Sequence, residues 1–530
     1  MKKFVITTLV ILIAISGLSQ NRYDALRYST EYYQGTARSM SMGNAMTALG
    51  GDLGAITLNP AASGIFLHSE FTLTPSLFTS FVDTDYLDNK DQTNRTHFGL
   101  ANIGWVLSLP IKSLSEIKNI NFAIVANNTN DFTYKNYAHG TETLSSFLGA
   151  EASSISPDVT GYPNIKGYNL TMTDDYPNRP YDNGIAPWSS ILGWNSFMLD
   201  TLASSDHRFI GATQNIDSNG DYVLGGPLDQ FYSRSISGYN TNITLNTSIN
   251  ILDKLFIGAN LSIIDIYYHS SSSYSEKAKN IANFDTGFEE FTYNQLLTTT
   301  ATGIKLSAGV IYFPIKGLRI GASVSTPTWL NLKDNWKNSM SSRIQNQDFN
   351  VTSPSGEYEY RVTSPFKYEI GLAYILGKRA IISLDYEGLD YSEIKMKGDK
   401  SININPFESE NDDISKDFQH VNNFRSGLEF RATPNFSIRA GYAYYEQTDK
   451  TYDDSKQFGT IGIGYKTNNA FFIDLAYMYQ LNKQNELYTL YSGYAAENET
   501  TGQSAQYISV PTLYESSRFQ KILLTLGFRF

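Results

Sequence analysis

Two groups of apolar residues stand out by type and spacing, and both suit non-covalent capture of an apolar molecule. After Pro187, a favourable first residue for a helix, Trp188, Ile191, Leu192, Met198, Leu199 and Leu202 recur at helical spacing. Trp194 and Phe197 widen that face. Within an otherwise polar segment, such a face would form a capture groove, or else pack on neighbouring segments and shut what lies beneath. Nearer the N-terminus, Met40, Met42, Met46 and Leu49 are interleaved with Gly43. Their flexible thioethers would adapt to a ligand, or simply fill a packed interior. Asn59-Pro60-Ala61 follows, most simply as a turn. The chemistry open to these groups is desolvation, at about 25 cal/mol per Å² of apolar area buried, steered by a few placed polar atoms.

Acid–base and metal chemistry find little support. The six histidines (68, 97, 139, 207, 269 and 420) are scattered without ligand spacing, and no Gly-x-Ser-x-Gly elbow is present. Asp412-Asp413 and Asp453-Asp454 read as solvated carboxylates rather than calcium ligands. We therefore expect no enzyme activity, no metal and no cofactor. A formal net charge of −11 argues against a nucleic-acid partner, which needs a basic footprint. With no cysteine, there is no disulfide, no thiolate metal site and no lipid-anchored N-terminal Cys.

The elements that must position these residues begin with an export segment. Lys2-Lys3, an apolar run Phe4 to Ile15, and the small residues Gly17 and Ser19 predict a signal peptide over 1–19. Beyond it no apolar run approaches the length of a spanning helix. Period-2 alternation recurs instead. Ile522, Leu524, Leu526, Phe528 and Phe530 share one face of the last segment, and Ile473, Leu475, Tyr477 and Tyr479 share one face of another. Aromatics make up 14% and charged residues 18%, at a mean hydropathy of −0.29, as when lipid-facing and lumen-facing positions alternate.

The connections sort by length. Brief turns such as Leu252-Asp253-Lys254, Pro314 to Gly317, Leu376 to Arg379, Thr433-Pro434-Asn435 and Thr467-Asn468-Asn469 alternate with long polar segments, among them 83–95, 134–228, 270–296, 331–357, 397–418 and 485–514. That order predicts an all-β fold: a transmembrane antiparallel barrel over 68–530 of about 14 strands, with short periplasmic turns and long outer loops, the longest about 134–228. Residues 20–67, polar and glycine-rich, are expected to form a small N-terminal hatch plugging the lumen. Asn127, Asn128 and Asn130, in the third strand, suit a bend facing water at a side opening, or plain lumenal positions. Tyr442, Tyr444, Tyr477, Tyr479 and Phe528 suit the aromatic girdles. The expected surroundings are outer-membrane lipid, with the terminal Phe530 presented to the assembly machinery of a Gram-negative bacterium.

The stretch ARSMSMGNAMTALGGDLGAITLNPAASGIF, with Asn59-Pro60-Ala61 just before the first strand, resembles the outer-membrane long-chain fatty-acid transporter family (FadL/TodX-type hydrophobic-compound channels), in a branch like that of Bacteroidetes. NTSINILDKLFIGANLS, IGASVSTPTWLNL and FRSGLEFRATPNFSIRAGYAYYE are similar to its later strands, in the same order. The resemblance implies a 14-strand barrel with a hatch, passive uptake of a hydrophobic small molecule caught among the outer loops, passage through a lumen pocket gated by the hatch, and lateral release at a kink in the third strand. The alternatives are a surface receptor or adhesion barrel, for which the 134–228 segment speaks, and a general porin.

Overall fold

The computed structural model describes residues 20–32, 35–111, 116–156, 165–172, 180–182, 184–202, 205–377, 379–398, 405–467, 470–498 and 504–530. The expected export segment 1–19 lies outside the described residues, as do Lys378, Asn468 and Asn469 of two expected turns. Among the described residues no helix is long and apolar enough to cross a membrane.

Strands do the crossing. In chain order they are β1 (Glu70–Tyr86), β2 (Asn89–Pro110), β3 (Ile117–Asp131, continued by Tyr134–Glu142), β4 (Leu228–Ile251), β5 (Leu255–Ala278), β6 (Phe288–Tyr312) and β7 (Leu318–Ser325 with Trp329–Ile344). There follow β8 (Gln347–Thr352, Gly356–Thr363 and Lys367–Leu376), β9 (Ala380–Asp390 with Lys395–Lys397), β10 (His420–Arg431), β11 (Phe436–Tyr445), β12 (Lys456–Lys466), β13 (Phe471–Gln480 with Gln484–Thr489) and β14 (Thr512–Arg529). Each pairs antiparallel with its sequence neighbour, and β14 returns to pair with β1, so 14 strands close without an edge. Arg529 Nε donates to Glu70 Oε2 at 2.6 Å across that seam. β7 and β8 are interrupted at Pro327, Pro354 and Pro365, each of which removes a ladder N–H.

Outward positions carry Leu245, Ile263, Ile370, Leu384 and Leu428, all exposed, where lipid would solvate them. Tyr442 and Phe528 lie on the same outward face. Several strands are far longer than the roughly 9–11 residues that cross the apolar layer: β4 and β5 have 24 residues and β6 has 25. Here three expected loops are corrected. Segments 83–95, 270–296 and 331–357 are mostly strand, the first and last turning tightly at Leu87-Asp88 and at Gln345-Asn346 and the middle one crossing over in nine residues, Lys279 to Gly287. Above the lipid both faces meet water, so their hydropathy no longer alternates although their pleat does.

The 134–228 segment is not a simple loop either. Its first part adds to β4, and its helices α3 (Phe147–Ile155), α4 (Gly167–Leu170) and α5 (Trp188–Asn195) build a cap over the outer mouth; we number them after two hatch helices, α1 (Arg22–Ser29) and α2 (Ala37–Ser41). Phe147 is the hub of that cap, its ring 5.5–5.7 Å from those of Tyr274, Phe291 and Tyr293.

Candidate functional site

The hatch occupies the bore. Its backbone is mostly irregular, so its polar groups need partners from outside any helix or ladder. Local caps supply some. Asn21 caps α1, Thr36 caps α2, and Asp52 accepts from Gly54 N–H at 2.8 Å to start the turn Leu53–Thr57. Asn59 caps the turn Pro60–Ile65, accepting from Ala61 N–H at 3.0 Å, with Pro60 at its first position. Its Nδ2 donates to Thr47 O at 2.7 Å and to Val310 O on β6 at 3.1 Å. One side chain thus starts a turn, spans the hatch and ties it to the wall.

Lumenal side chains supply the rest. Asn260 Nδ2 donates to Ile56 O at 2.8 Å, Asn246 Nδ2 to Pro60 O at 2.9 Å and Ser323 Oγ to Leu58 O at 2.7 Å. In return, Ala37 N–H donates to Thr525 Oγ1 and Thr47 N–H to Asp385 Oδ2. Charge adds to the seat. Arg38 Nε lies 2.9 Å from Glu429 Oε2, and Glu31 faces Lys305 and Lys367 at 2.7 and 3.1 Å. Met42, Met46, Leu49 and Ala61 pack in the hatch core against Phe256 and Ile311 of the wall.

Sequence reasoning missed the wall glycines. Gly258 pairs with Gly309, Gly321 with Gly371, and Gly427 with Gly441, each pair directly opposite on neighbouring strands. A Cβ on any of the six would come closer than 3.0 Å to another atom, and for five of them that atom belongs to the hatch. Gly43 answers from the other side: its φ of +62° is a left-handed conformation, and a Cβ there would strike Tyr442 O. Glycines recurring on the polar face of successive strands were the available signal.

Between hatch and wall runs a narrow cavity. Tyr32, Met40 and Gly43 line it from the hatch; Phe78, Tyr445, Phe458 and Phe519 line it from β1, β11, β12 and β14. The Tyr32 and Tyr445 rings meet edge-on at 5.1 Å, and Phe458 lies 5.3 Å from Phe519. The free space is about 20 Å³, room for about one water. Asn130 and Asp131 of β3 complete the lining.

That edge of the cavity is where the wall is incomplete. β2 and β3 pair from Pro110↔Asn119 up to Asn102↔Asn127, and no further. Ala101 is left out of the β1–β2 register, and β3 shifts register on β4 between Asn128 and Asn130. Asn127 is therefore the last rung, its Nδ2 donating to Thr57 Oγ1 of the hatch at 3.1 Å. Asn128 Oδ1 is buried with no hydrogen-bond partner in the described residues. His97, opposite the inward-facing Phe78, is 51% exposed because no strand covers its β3 side; its Nδ1 lies 3.7 Å from Asp131 Oδ2 across the gap. Higher up, Arg95 Nη1 reaches Ile236 O at 2.9 Å and Thr93 Oγ1 reaches Lys135 O at 2.6 Å, closing the top. The result is a window between β2 and β3, framed outside by the exposed Phe98 and Leu100.

A family model described as outer membrane protein transport protein (OMPP1/FadL/TodX) matches residues 231–516. The chain belongs to this family. A Pseudomonas aeruginosa FadL homologue has a crystal structure similar to this chain at a TM-score of 0.52 and 12% identity, covering 94% of this chain and all of the other. The P. putida toluene transporter TodX gives 0.49 and 11%, covering 95% and 99%, and the Ralstonia pickettii toluene transporter TbuX gives 0.47 and 13%, covering 94% and 99%. No curated protein sequence matches. At such identities the first structure establishes a shared fold. The family model places the chain in the outer membrane of a Gram-negative bacterium, among outer-membrane transport proteins.

Within this FadL/TodX-type barrel the three groups of candidate residues lie in different places. Met40, Gly43 and Asn130 line the cavity, and Asn127 is the last rung before the break in pairing. The outer helix does not present a groove. Trp188, Ile191, Leu192, Met198 and Leu199 are buried in the cap, Trp194 is partly buried against Phe209, and Trp188 meets Trp336 at 5.6 Å. Phe197 alone is exposed, its ring 4.6 Å from Phe349. These residues pack within the cap.

Proposed function

We propose that the barrel takes up hydrophobic small molecules passively, passing them through the cavity beside the hatch and releasing them sideways between β2 and β3. The observation that carries this reading is the contiguity of a ring-lined cavity with a break in strand pairing. A water-filled pore offers an apolar solute no favourable contact, whereas burial against rings gains about 25 cal/mol per Å². The cavity is smaller than a ligand, so occupancy requires the hatch segment around Met40 and Gly43 to shift. Lys456 Nζ lies 4.2 Å from the Tyr32 ring centroid and Lys521 Nζ 5.7 Å from that of Phe78, which suits a ligand carrying a carboxylate, such as a long-chain fatty acid. The buried face of α5 serves as a lid in this scheme, and entry passes around it rather than along it.

The chain has no cysteine, which makes a direct test clean. His97→Cys and Asp131→Cys, joined by a short cleavable bifunctional thiol reagent, would bar the window. Uptake of a labelled fatty acid by whole cells should fall to the level of cells lacking the protein and return when the link is cleaved. Unchanged uptake through the barred window would remove lateral release from the mechanism.

A further inference from the structure

On the outer wall, away from hatch and window, the apolar band ends abruptly where β7 and β8 are interrupted. Ile320, Val324 and Trp329 on β7, and Leu372, Ile370 and Phe366 on β8, face outward and are exposed. Trp329 and Phe366 are the last of these, aromatic residues at the level where lipid tails give way to headgroups. The next outward positions are polar and basic. Trp329 pairs with Thr363, which pairs with Lys395; one step further out, Asn331 pairs with Arg361, which pairs with Lys397. Two residues of strand advance about 7 Å, so both rows lie within headgroup reach of Trp329. These residues surround an open cavity of about 520 Å³.

The charge arrangement is unfavourable as it stands. Arg361 and Lys397 are directly opposed like charges, with Lys395 beside them on the same face. Neither lysine makes a salt bridge in the described residues, and Arg361 Nη2 donates only to Gly398 O, at 3.3 Å. Glu357 and Glu359, on the same face, are engaged by Lys333 at 2.5 and 3.8 Å. In a chain of net charge −11, three cations gathered above an aromatic step, with no ion pair to any of them among the described residues, match an anion fixed at the membrane surface.

We infer that this cavity binds the phosphorylated headgroup of an outer-leaflet lipid of the lipid A type, with acyl chains lying along Trp329, Phe366 and Ile370. Arg361 supplies a planar fork for the phosphate, while Lys395 and Lys397 supply point charges from the neighbouring strand.

The test uses the full-length barrel in detergent, loaded with bisphosphorylated or dephosphorylated lipid A and read by native mass spectrometry. The wild type should retain the phosphorylated lipid about tenfold better than the dephosphorylated one. The triple variant Arg361→Gln, Lys395→Gln and Lys397→Gln should lose that preference, whereas Lys277→Gln with Lys279→Gln, elsewhere on the rim, should keep it. Heat-modifiable electrophoretic migration reports that each barrel is folded. Equal retention of the two lipids by the wild type, which needs no variant to fold, would overturn the proposal. So would complete displacement of the lipid by millimolar inorganic phosphate, which would leave an anion site without lipid specificity.

Discussion

Glu151 on α3 shows how a single side chain sets the condition of the outer cap. Its carboxyl group is buried and accepts from Ser189 Oγ at 2.8 Å and Ser190 Oγ at 2.6 Å, the two hydroxyls at the start of α5. Burial pushes it up to about 7, and the two serine hydrogen bonds only partly counter that. For an acid whose folded value is raised, the folded state holds the extra proton. The stability this gives is full at low pH and declines as pH rises from the ordinary carboxyl range, near 4.5, through about 7. Above that range the α3–α5 contact holds a buried negative charge. Hydrogen exchange in Phe147–Ile155 and Trp188–Asn195, corrected for intrinsic rates, should therefore show weaker protection at about pH 8 than at about pH 5, by roughly 1–3 kcal/mol. Glu151→Gln keeps an acceptor for the serines and should flatten the dependence. A pH profile that survives in the variant would assign it to another group.

Among the elements, those that touch lipid were legible and those that touch only water or the hatch were not. β13 and β14 declared themselves because Leu475 and Ile522 face lipid while Asp474 and Lys521 face the bore. The outer parts of β5 and β7 did not, because Ser271, Ser273, Asn335 and Ser339 are polar on whichever side the pleat puts them. In the candidate site, Asn127 and Asn130 were found as polar breaks in a strand. Phe458 and Phe519 were not, since their cavity joins a hatch to strands hundreds of residues away. Their trace was parity: Phe458 sets an aromatic ring on an inward face that otherwise carries Thr460, Gly462 and Gly464, and Phe519 shares the inward face of β14 with Lys521 and Thr525. The glycine pairs carry the same lesson for β10 and β11, where Gly427 and Gly441 admit the backbone of Met42 and Gly43. Adding two methyl groups there, as Gly427→Ala with Gly441→Ala, overpacks the seat by about 1–3 kcal/mol. The strands can keep their ladder, so the hatch should yield first. Limited tryptic cleavage at Arg38 should become faster while heat-modifiable migration is retained. Continued protection of Arg38 would mean that the hatch does not rest on these glycines.

At the level of the whole molecule, the barrel and its plug divide the labour of crossing and sealing. The wall turns a charged face to the bore: Glu369, Asp385, Glu387, Glu429 and Asp474 are buried there with Lys367, Arg425 and Arg439. Arg425 bridges Glu369 and Glu387 at 2.9 and 3.2 Å, and Arg439 lies between Glu429 and Asp474. Such a lining would conduct ions freely if water filled it. Residues 40–61 occupy the section where the glycine pairs lie, with Thr47 on Asp385 and Asn59 on Val310, and should keep the conductance low. The seam that closes the wall is made without these contacts, since β14 pairs with β1 from Glu70 to Asp85. Deleting residues 40–61 should therefore leave a folded barrel whose single-channel conductance rises on the order of tenfold, toward that of an open porin. The buried carboxylates of the wall outnumber its buried cations, so the current should favour cations, and raising the salt concentration should weaken that preference. Planar-bilayer recordings measure both quantities on one preparation. If conductance stayed low after the deletion, the seal would lie in the outer cap built on Phe147 and α5, and the hatch would be a packing element rather than a gate.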